Sequence, residues 1–275
     1  MTSNSRQTEW RITNTGPEAY ERYIVPAWMG EWAGDLVQTG GVRPGKRVLD
    51  VACGTGVVAR EALKAAGAGI DVTGVDMDEG MLRAAERFAA RDGLGAIDWR
   101  RGEATRIPAD PATYDIVFCQ QGLQFFPDRP AALREMARVM RPGGRLALSV
   151  WRSLDRSPFL AVLADILGRR FGAGAAAVFH ASCALTDRES LRTLVRDAGF
   201  HDIHIRIEAK VARYPSLTDF LPGYLAVFPI ATAIAAMNDA ARAELFEQMV
   251  TSLASYVDDD GLAAPMESHV LTASL

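Results

Sequence analysis

The feature that most constrains the fold of this 275-residue chain is a regular alternation of short apolar segments with longer amphipathic ones. The apolar segments predict strands over 47–52, 70–76, 96–100, 114–119 and 144–151. The amphipathic segments predict helices over 55–66, 78–92 and 129–140. Strands separated by helices of this length indicate βαβ units, and such units build a parallel sheet with right-handed crossovers.

The flanking regions follow a different pattern. Aromatic and apolar residues at helical spacing over 17–38 predict two short helices, divided at Pro26 because proline interrupts an α-helix. After the last βαβ unit we expect a helix over 159–171 and another that opens at the capping box Thr186–Glu189 and ends at Gly199. Strands are predicted over 201–212 and 269–273. The predicted organisation is an N-terminal helical segment (1–42), an α/β domain (43–215 with 258–275) and a helical insertion (216–257) that covers the active site.

Composition narrows the class of protein. Hydrophobic residues make up 49% and charged residues 23% of the chain, which is ordinary for a globular protein with a sizeable core. The net charge of −4, without a long basic run, argues against a nucleic-acid partner. We expect no signal peptide at the polar N-terminus and no membrane span. Three scattered cysteines without metal-ligand spacing predict reduced thiols, no metal site and a cytoplasmic location.

A glycine-rich turn follows the first predicted strand directly and leads into a helix. Gly54 and Gly56 permit backbone conformations and a close ligand approach that a Cβ atom would block. Together with Ala59 they satisfy the dinucleotide-binding fingerprint. This pattern alone predicts a nucleotide-like ligand without specifying which one.

Three acidic residues favour one class of ligand. Asp76 ends the second strand, at the spacing of about 20 residues after the glycines where an acid binds ribose hydroxyls. Asp50 lies at the mouth of the first strand and Glu103 follows the third strand, so three carboxylates would surround the ligand. Such a ring repels the pyrophosphate of a dinucleotide and attracts the sulfonium and ammonium groups of S-adenosylmethionine (SAM). The alternative interpretation is that these acids cap helices or lie in solvated loops.

The spaced motifs at 48–60, 75–78, 102–104, 114–121 and 141–144 together resemble a known family. They are similar to class I SAM-dependent methyltransferases of the ubiquinone/menaquinone C-methyltransferase type. The segment 20–26 resembles a bacterial subgroup of small-molecule methyltransferases. The resemblance implies a Rossmann-like, seven-stranded, mostly parallel sheet of order 3-2-1-4-5-7-6, with the last strand antiparallel and the ligand at the carboxyl ends of the strands.

The resemblance also implies roles for particular residues. Those that would hold the methionine part of SAM are Asp50, Ala52, Gly54 and Gly56. Asp76 would bind the ribose hydroxyls, and Met77 would pack on the adenine. Glu103 and Ala104 would meet the adenine edge, and Gln120 would lie beneath the ligand. The segment 141–144 would form a tight turn before the fifth strand.

The residues that could act on an acceptor are less distinctive. His180 lies after the fifth strand and is the best candidate for a catalytic base, although a surface histidine is the simpler interpretation. Tyr20 and Tyr23 could contact SAM, including its sulfonium, or could only pack in the core. Cys53 and Cys119 are predicted to be small buried groups and not nucleophiles.

These observations favour a methyltransferase that acts on an oxygen, nitrogen or carbon atom of a small-molecule acceptor. Two alternatives remain at this point, an NAD-dependent oxidoreductase and a non-catalytic SAM-binding protein. The first lacks a recognisable hydride-transfer set, and the second would need a blocked acceptor pocket. The sequence leaves open whether the chain forms a homodimer.

Overall fold

A helical segment at the N-terminus begins the part of the chain that the computed structural model describes, residues 16–67 and 69–275. It consists of α1 (Pro17–Ala19), a π-helix (Tyr20–Met29) and α2 (Gly30–Gly40), which follow one another without a break. The predicted division at Pro26 is therefore wrong. The wider π turn leaves room for a proline ring that would clash with a carbonyl of an α-helix, and it absorbs the missing N–H. The expectations for residues 1–15 lie outside the described residues.

One mixed sheet forms the centre of the molecule. Its strands are β1 (Arg47–Val51), β2 (Asp71–Asp76), β3 (Ile97–Arg101), β4 (Tyr114–Gln120), β5 (Met140–Trp151), β6 (His201–Tyr214), β7 (Val257–Asp258) and β8 (Gly261–Ser274). The order is β3-β2-β1-β4-β5-β8-β6, and β7 pairs with β8. The first five strands are parallel, and β8 runs antiparallel between β5 and β6. This confirms the predicted α/β fold and strand order, with β8 as the seventh strand; β7 is an unpredicted strand of 2 residues.

The helices that follow are α3 (Val57–Ala66), α4 (Glu79–Arg91), α5 (Arg129–Val139), α6 (Pro158–Phe171), α7 (Ala173–Ser182), α8 (Arg188–Asp197), α9 (Leu217–Leu225), α10 (Ile230–Ala235) and α11 (Asp239–Ser252). Three 3-10 helices lie at Leu123–Phe125, Leu154–Arg156 and Ala254–Tyr256. The alternation predicted from the sequence is thus present, and 216–257 is mostly helical as expected. None of the described helices is long and apolar enough to cross a membrane.

Two local predictions differ from the structure. The residue that caps α8 is Asp187 and not Thr186, because the Asp187 carboxylate accepts the Ser190 N–H at 2.7 Å. The segment 141–144 is not a turn before β5 but an irregular part of that strand, which already begins at Met140. Gly143 has a φ of +76° there, and residues 141–144 have no partner among the described strands between Met140 and Arg145, both of which pair with β4, so the chain bulges out of the sheet at this point.

Two apolar clusters lie on the two faces of the sheet. Alternation along β4 sends Phe118 to one cluster and Val117 to the other. The cluster around Phe118 also contains Trp32 from α2 and Phe220 from α9. The N-terminal segment and 216–257 therefore share one core with the sheet, and the insertion is an integral part of the fold.

Candidate cofactor and acceptor cavity

A cavity of about 680 Å³ opens where β1, β2 and β4 end. The residues that line it come from the N-terminal segment, these strand ends, the loop after β3, and helices α6, α7 and α9 with the loop after α9. Carboxyl ends of parallel strands are where α/β sheets bind ligands, because the loops that leave them diverge and expose a crevice. The predicted site residues that line the cavity are Tyr20, Ala52, Asp76, Met77, Glu103, Ala104 and Gln120.

Asp76 holds the glycine turn in place at one end of the cavity. Its Oδ2 accepts the Gly54 N–H at 2.8 Å, and its Oδ1 accepts the Asp78 N–H at 2.8 Å. Asp78, and not Asp76, caps α4. Burial raises the pKa of Asp76. Since each carboxylate oxygen accepts one N–H and has a further lone pair, Asp76 can still accept two hydroxyl groups.

Asp50 lies behind the glycine turn and not in the cavity wall. It is 1% exposed, and its Oδ2 accepts the Ala59 N–H in the first turn of α3 at 3.2 Å. Burial, together with the nearby Asp76 carboxylate, raises the pKa of Asp50 to about 8. The helix-capping interpretation therefore describes the contact that Asp50 makes here.

The two glycines of the turn are required for different structural reasons. Gly54 has a φ of +54°, and a Cβ atom placed on it would meet nothing within 4 Å. Gly56 has a φ of +80°, and a Cβ atom there would lie 2.3 Å from the Trp99 ring. Gly56 is thus required for packing against β3, whereas Gly54 leaves the space beside the turn open, and neither glycine is among the described residues that line the cavity.

The charged residues in the cavity wall all carry negative charge. They are Asp76, Glu103 and Asp128, and the described lining includes no lysine, arginine or histidine. In a partly desolvated cavity this favours a ligand with positive charge. The Oε1 atom of Gln120 is buried without a hydrogen-bond partner among the described residues, while its Nε2 donates to the Met29 carbonyl at 2.9 Å. An unpaired buried oxygen in the wall indicates a place for a ligand donor.

The opposite end of the cavity is aromatic. Trp28 lies edge-on to Phe159, Phe220 and Tyr224, with ring centroids 5.5–6.1 Å apart. The aromatic and aliphatic residues that line this end are Ile24, Trp28, Met29, Trp151, Leu160, Tyr224, Val227 and Phe228. Sequence reasoning missed those beyond 150; the only signal for three of them was the apolar stretch after 216.

Besides Asp50, the predicted side chains of Tyr23 and His180 do not reach the cavity. Tyr23 packs against Tyr214 at a centroid distance of 5.8 Å and against Gly223, which agrees with the core interpretation. His180 lies exposed on α7 and is absent from the described cavity lining. The geometry therefore gives His180 no contact with a ligand in this cavity. Cys53 and Cys119 are buried as predicted, and burial raises the pKa of both thiols.

Gln121 is a further lining residue that sequence reasoning missed. Its φ is +52°, which is uncommon for a residue with a side chain. Its buried Nε2 donates to the Ser268 hydroxyl at 2.8 Å, and that hydroxyl donates to the Val150 carbonyl at 2.7 Å. The hydrogen bond between Gln121 and Ser268 joins the end of β4 to β8. These residues are far apart in the chain, so no local pattern could have revealed the contact.

Comparison with known proteins decides the family. Residues 48–144 match the family described as "Methyltransferase domain". The chain is 33% identical over 185 residues to demethylmenaquinone methyltransferase of Renibacterium salmoninarum, and the alignment covers 64% of this chain and 75% of that protein. The chain belongs to the class I SAM-dependent methyltransferases. The methyl donor of this family is SAM, whose positive charge suits the acid-lined end of the cavity.

Other relatives of this methyltransferase match over shorter ranges or only in fold. It is 42% identical over 108 residues to nocamycin O-methyltransferase of Saccharothrix syringae, which covers 39% of this chain and 38% of that protein. The YcgJ protein of Bacillus subtilis has the same fold, with a TM-score of 0.60, 18% identity, and coverage of 89% of this chain and 97% of that one. A putative methyltransferase of Bacillus halodurans gives a TM-score of 0.57 at 20% identity, covering 88% and 97%.

Proposed function

We propose that this enzyme transfers the methyl group of SAM to a small, largely apolar acceptor that binds in the aromatic end of the cavity. The observation that carries the proposal is that one continuous cavity joins an acid-lined end to an aromatic end. A cationic donor and an apolar acceptor would then meet inside a single water-excluding space. Holding two reactants in line can account for about 7–11 kcal/mol of the barrier.

The donor end has residues that suit each part of SAM. Asp76 would accept the two ribose hydroxyls, Met77 would pack on the adenine, and Glu103 and Ala104 would meet its edge. The backbone at Ala52 and Gly54 would hold the methionine part, for which the open space beside Gly54 is the support. The other residues proposed for the cofactor site are Tyr20 and Gln120, and Gln120 would bind through its unpaired oxygen. Asp50 and Gly56 would support the site from behind the turn, and Tyr23 packs behind the wall. SAM supplies an activated methyl group on a sulfonium.

The reacting atom of the acceptor must already be nucleophilic when the acceptor binds. The described residues of the lining include no histidine, lysine or cysteine, and its carboxylates Asp76, Glu103 and Asp128 would hold the donor or backbone N–H groups and not act as a base. His180, the candidate base, is exposed on α7. We therefore expect acceptors whose reacting oxygen or carbon atom is already deprotonated at neutral pH, or whose reacting nitrogen is an unprotonated amine.

The segment 216–257 is proposed as the cover of the acceptor end. Tyr224, Val227 and Phe228 from this segment line the cavity, and Tyr224 packs edge-on against Trp28. Because the same segment also fills the core, it would act as a fixed wall and not as a detachable flap. On this basis we propose that the chain is divided into an N-terminal segment (1–42), the α/β domain (43–215 with 258–275) and the insertion (216–257).

The cellular location and the oligomeric state of the enzyme are also proposals. Cys53, Cys119 and Cys183 are free and buried, which supports a reducing compartment such as the cytoplasm. A homodimer is the assembly to test, by sedimentation of the purified chain at several concentrations.

The test is a turnover assay with SAM and paired acceptors of equal size. 4-Nitrophenol, which is ionised near neutral pH, would be compared with 4-nitrobenzyl alcohol, alongside apolar amines and 1,3-dicarbonyl compounds. We expect S-adenosylhomocysteine to form only with acceptors that are ionised or are unprotonated amines. Methylation of the unactivated alcohol would contradict the absence of a base, and cofactor binding without turnover on any acceptor would favour the non-catalytic alternative.

A further inference from the structure

A buried ion pair connects the N-terminal segment to the glycine turn. Glu21 on the π-helix pairs with Arg60 on α3, with 2.6 Å between Oε1 and Nη2. Their side chains are only 8% and 4% exposed. A carboxylate and a guanidinium taken out of water at a helix junction need close partners, because an unpaired buried charge is strongly destabilising.

Thr55 lies between these two charges and completes a ring of hydrogen bonds. Its hydroxyl donates to Glu21 Oε2 at 2.8 Å, and its carbonyl accepts from Arg60 Nη1 at 2.9 Å. Thr55 is the residue between Gly54 and Gly56 and is 1% exposed. The ring therefore holds the conformation of the glycine turn from the side opposite to Asp76.

The same π-helix carries four residues of the cavity wall. Tyr20 precedes Glu21 directly, and Ile24, Trp28 and Met29 follow on the face toward the acceptor end. A shift of the π-helix away from the turn would thus disturb both ends of the cavity at once. At the far end of the helix its position depends on the Gln120–Met29 hydrogen bond.

We infer that Glu21, Thr55 and Arg60 form a latch that couples cofactor binding to the position of the acceptor wall. Cofactor bound against the glycine turn stabilises the turn conformation that Thr55 and Arg60 present to Glu21. The docked π-helix in turn places Tyr20 and Trp28. Glu21 is a positioning residue in this scheme, since it acts through the turn and touches no reactant. The inference depends on the proposed function, because it assumes that SAM occupies the donor end.

Hydrogen exchange tests the latch on the full chain, with S-adenosylhomocysteine as the stable ligand. In the wild type we expect the ligand to slow exchange in peptides that cover 20–29, although the glycine turn lies on another segment. Glu21→Gln and Thr55→Val should each weaken ligand affinity about tenfold and remove this slowing. Thr55→Ser, which keeps the hydroxyl, should behave as the wild type. The double variant should lose no more than about as much as one single variant, since both open one ring.

Glu18→Gln is the matched control. Glu18 lies on the same segment and pairs with Arg87 on α4, but its side chain is 54% exposed. Breaking that pair should change neither affinity nor exchange over 20–29. A latch with only a structural role would lower the midpoint of urea denaturation in Glu21→Gln and leave affinity and ligand-dependent exchange unchanged, and that result would overturn the inference.

The wild-type measurement separates the two proposals. If the wild type does not bind S-adenosylhomocysteine, the proposed function fails. If it binds and exchange over 20–29 does not respond, the latch fails while the proposed function stands. This comparison needs no variant, so an absent response overturns the latch even if Glu21→Gln does not fold, whereas a response supports it only when Thr55→Val removes that response.

Discussion

The carboxylates around the glycine turn have different roles, because each of them lies in a different environment. Asp76 lines the cavity and keeps lone pairs free, whereas Asp50 is enclosed and bonded to the start of α3. The difference in burial separates their chemistry, because a carboxyl group without solvent resists ionisation. Glu21 is a third case, because its buried side chain is paired with the guanidinium of Arg60.

We expect Asp76→Ala to weaken SAM and S-adenosylhomocysteine together by at least about tenfold, since each hydrogen bond to a charged group contributes roughly 1.5–3 kcal/mol. The substitution also releases the Gly54 N–H that Asp76 accepts. Asp76→Asn should lose less, because its amide oxygen still accepts one bond. Calorimetric titration measures both ligands.

Asp71→Ala serves as the control for Asp76, because Asp71 begins the same strand with an 81% exposed side chain and only a 3.6 Å contact to Arg47. Its ligand affinity should equal that of the wild type. Unchanged affinity in a folded Asp76→Ala protein would remove the ribose assignment.

Asp50 should make the ligand-free enzyme less stable as the pH rises. Its pKa of about 8 in the folded protein lies above the ordinary value near 3.8, so between these two pH values the folded state binds more protons than the unfolded state. The contribution is fully favourable below the unfolded pKa and is lost as pH rises through the folded pKa, at a slope of up to about 1.4 kcal/mol per pH unit.

Asp50→Asn isolates this effect, because the amide oxygen still accepts the Ala59 N–H and no longer titrates. Urea denaturation of both proteins at pH 5, 6.5 and 8 should show the variant gaining stability relative to the wild type toward pH 8. A constant difference across the three pH values would show that Asp50 does not retain its proton in the folded state.

At the level of elements, the π-helix and α9 pack closely against each other. A Cβ atom at Gly223 would lie 2.2 Å from the Tyr23 ring, so the two helices approach as near as their backbones and that ring permit. The contact places Tyr224 beside Trp28 at the aromatic end of the cavity. The acceptor wall therefore depends on helix packing and not on loop conformation.

Gly223→Ala should destabilise the enzyme by about 1–3 kcal/mol through overpacking against Tyr23. The opposite sign is expected for Gly34→Ala in α2, where an added Cβ meets nothing within 4 Å. There alanine should stabilise by about 0.5–1 kcal/mol, because it restricts the unfolded chain. Thermal and urea denaturation of the two variants measure both changes. Equal effects at the two glycines would show that the close helix contact is absent in solution.

At the scale of the whole molecule, the described residues form a central sheet with an apolar core on each face and a cavity that draws its wall from distant parts of the chain. The N-terminal segment and 216–257 meet in the core around Phe118 and enclose the acceptor end together. Ligand binding should therefore stabilise the entire fold and not the βαβ half alone.

We expect S-adenosylhomocysteine at about 100 times its Kd to stabilise the folded enzyme by roughly 2.7 kcal/mol, which raises Tm by about 5–10 °C for a chain of this size. NAD at the same concentration should leave Tm unchanged, because acids line the donor end. Differential scanning calorimetry checks both. A Tm increase with NAD equal to that with S-adenosylhomocysteine would restore the oxidoreductase alternative.

The sequence by itself determined the βαβ core, the glycine turn and the acid at Asp76, because each of these depends on residues within one strand–turn–helix unit. Periodicity and spacing are local properties, and a family resemblance over the same motifs added the strand order. The continuous helical segment through Pro26 could not be foreseen, since proline permits a π turn as well as a break.

Only the tertiary structure decided which side chains form the acceptor end and which site residues face it. Trp28, Tyr224 and Phe228 meet through packing between segments about 200 residues apart, which no local pattern records. The same packing removed Tyr23 and His180 from the cavity and placed Asp50 behind the turn. Local patterns predict elements because backbone preferences act between near neighbours, whereas a cavity is the space that distant elements leave between them when they pack.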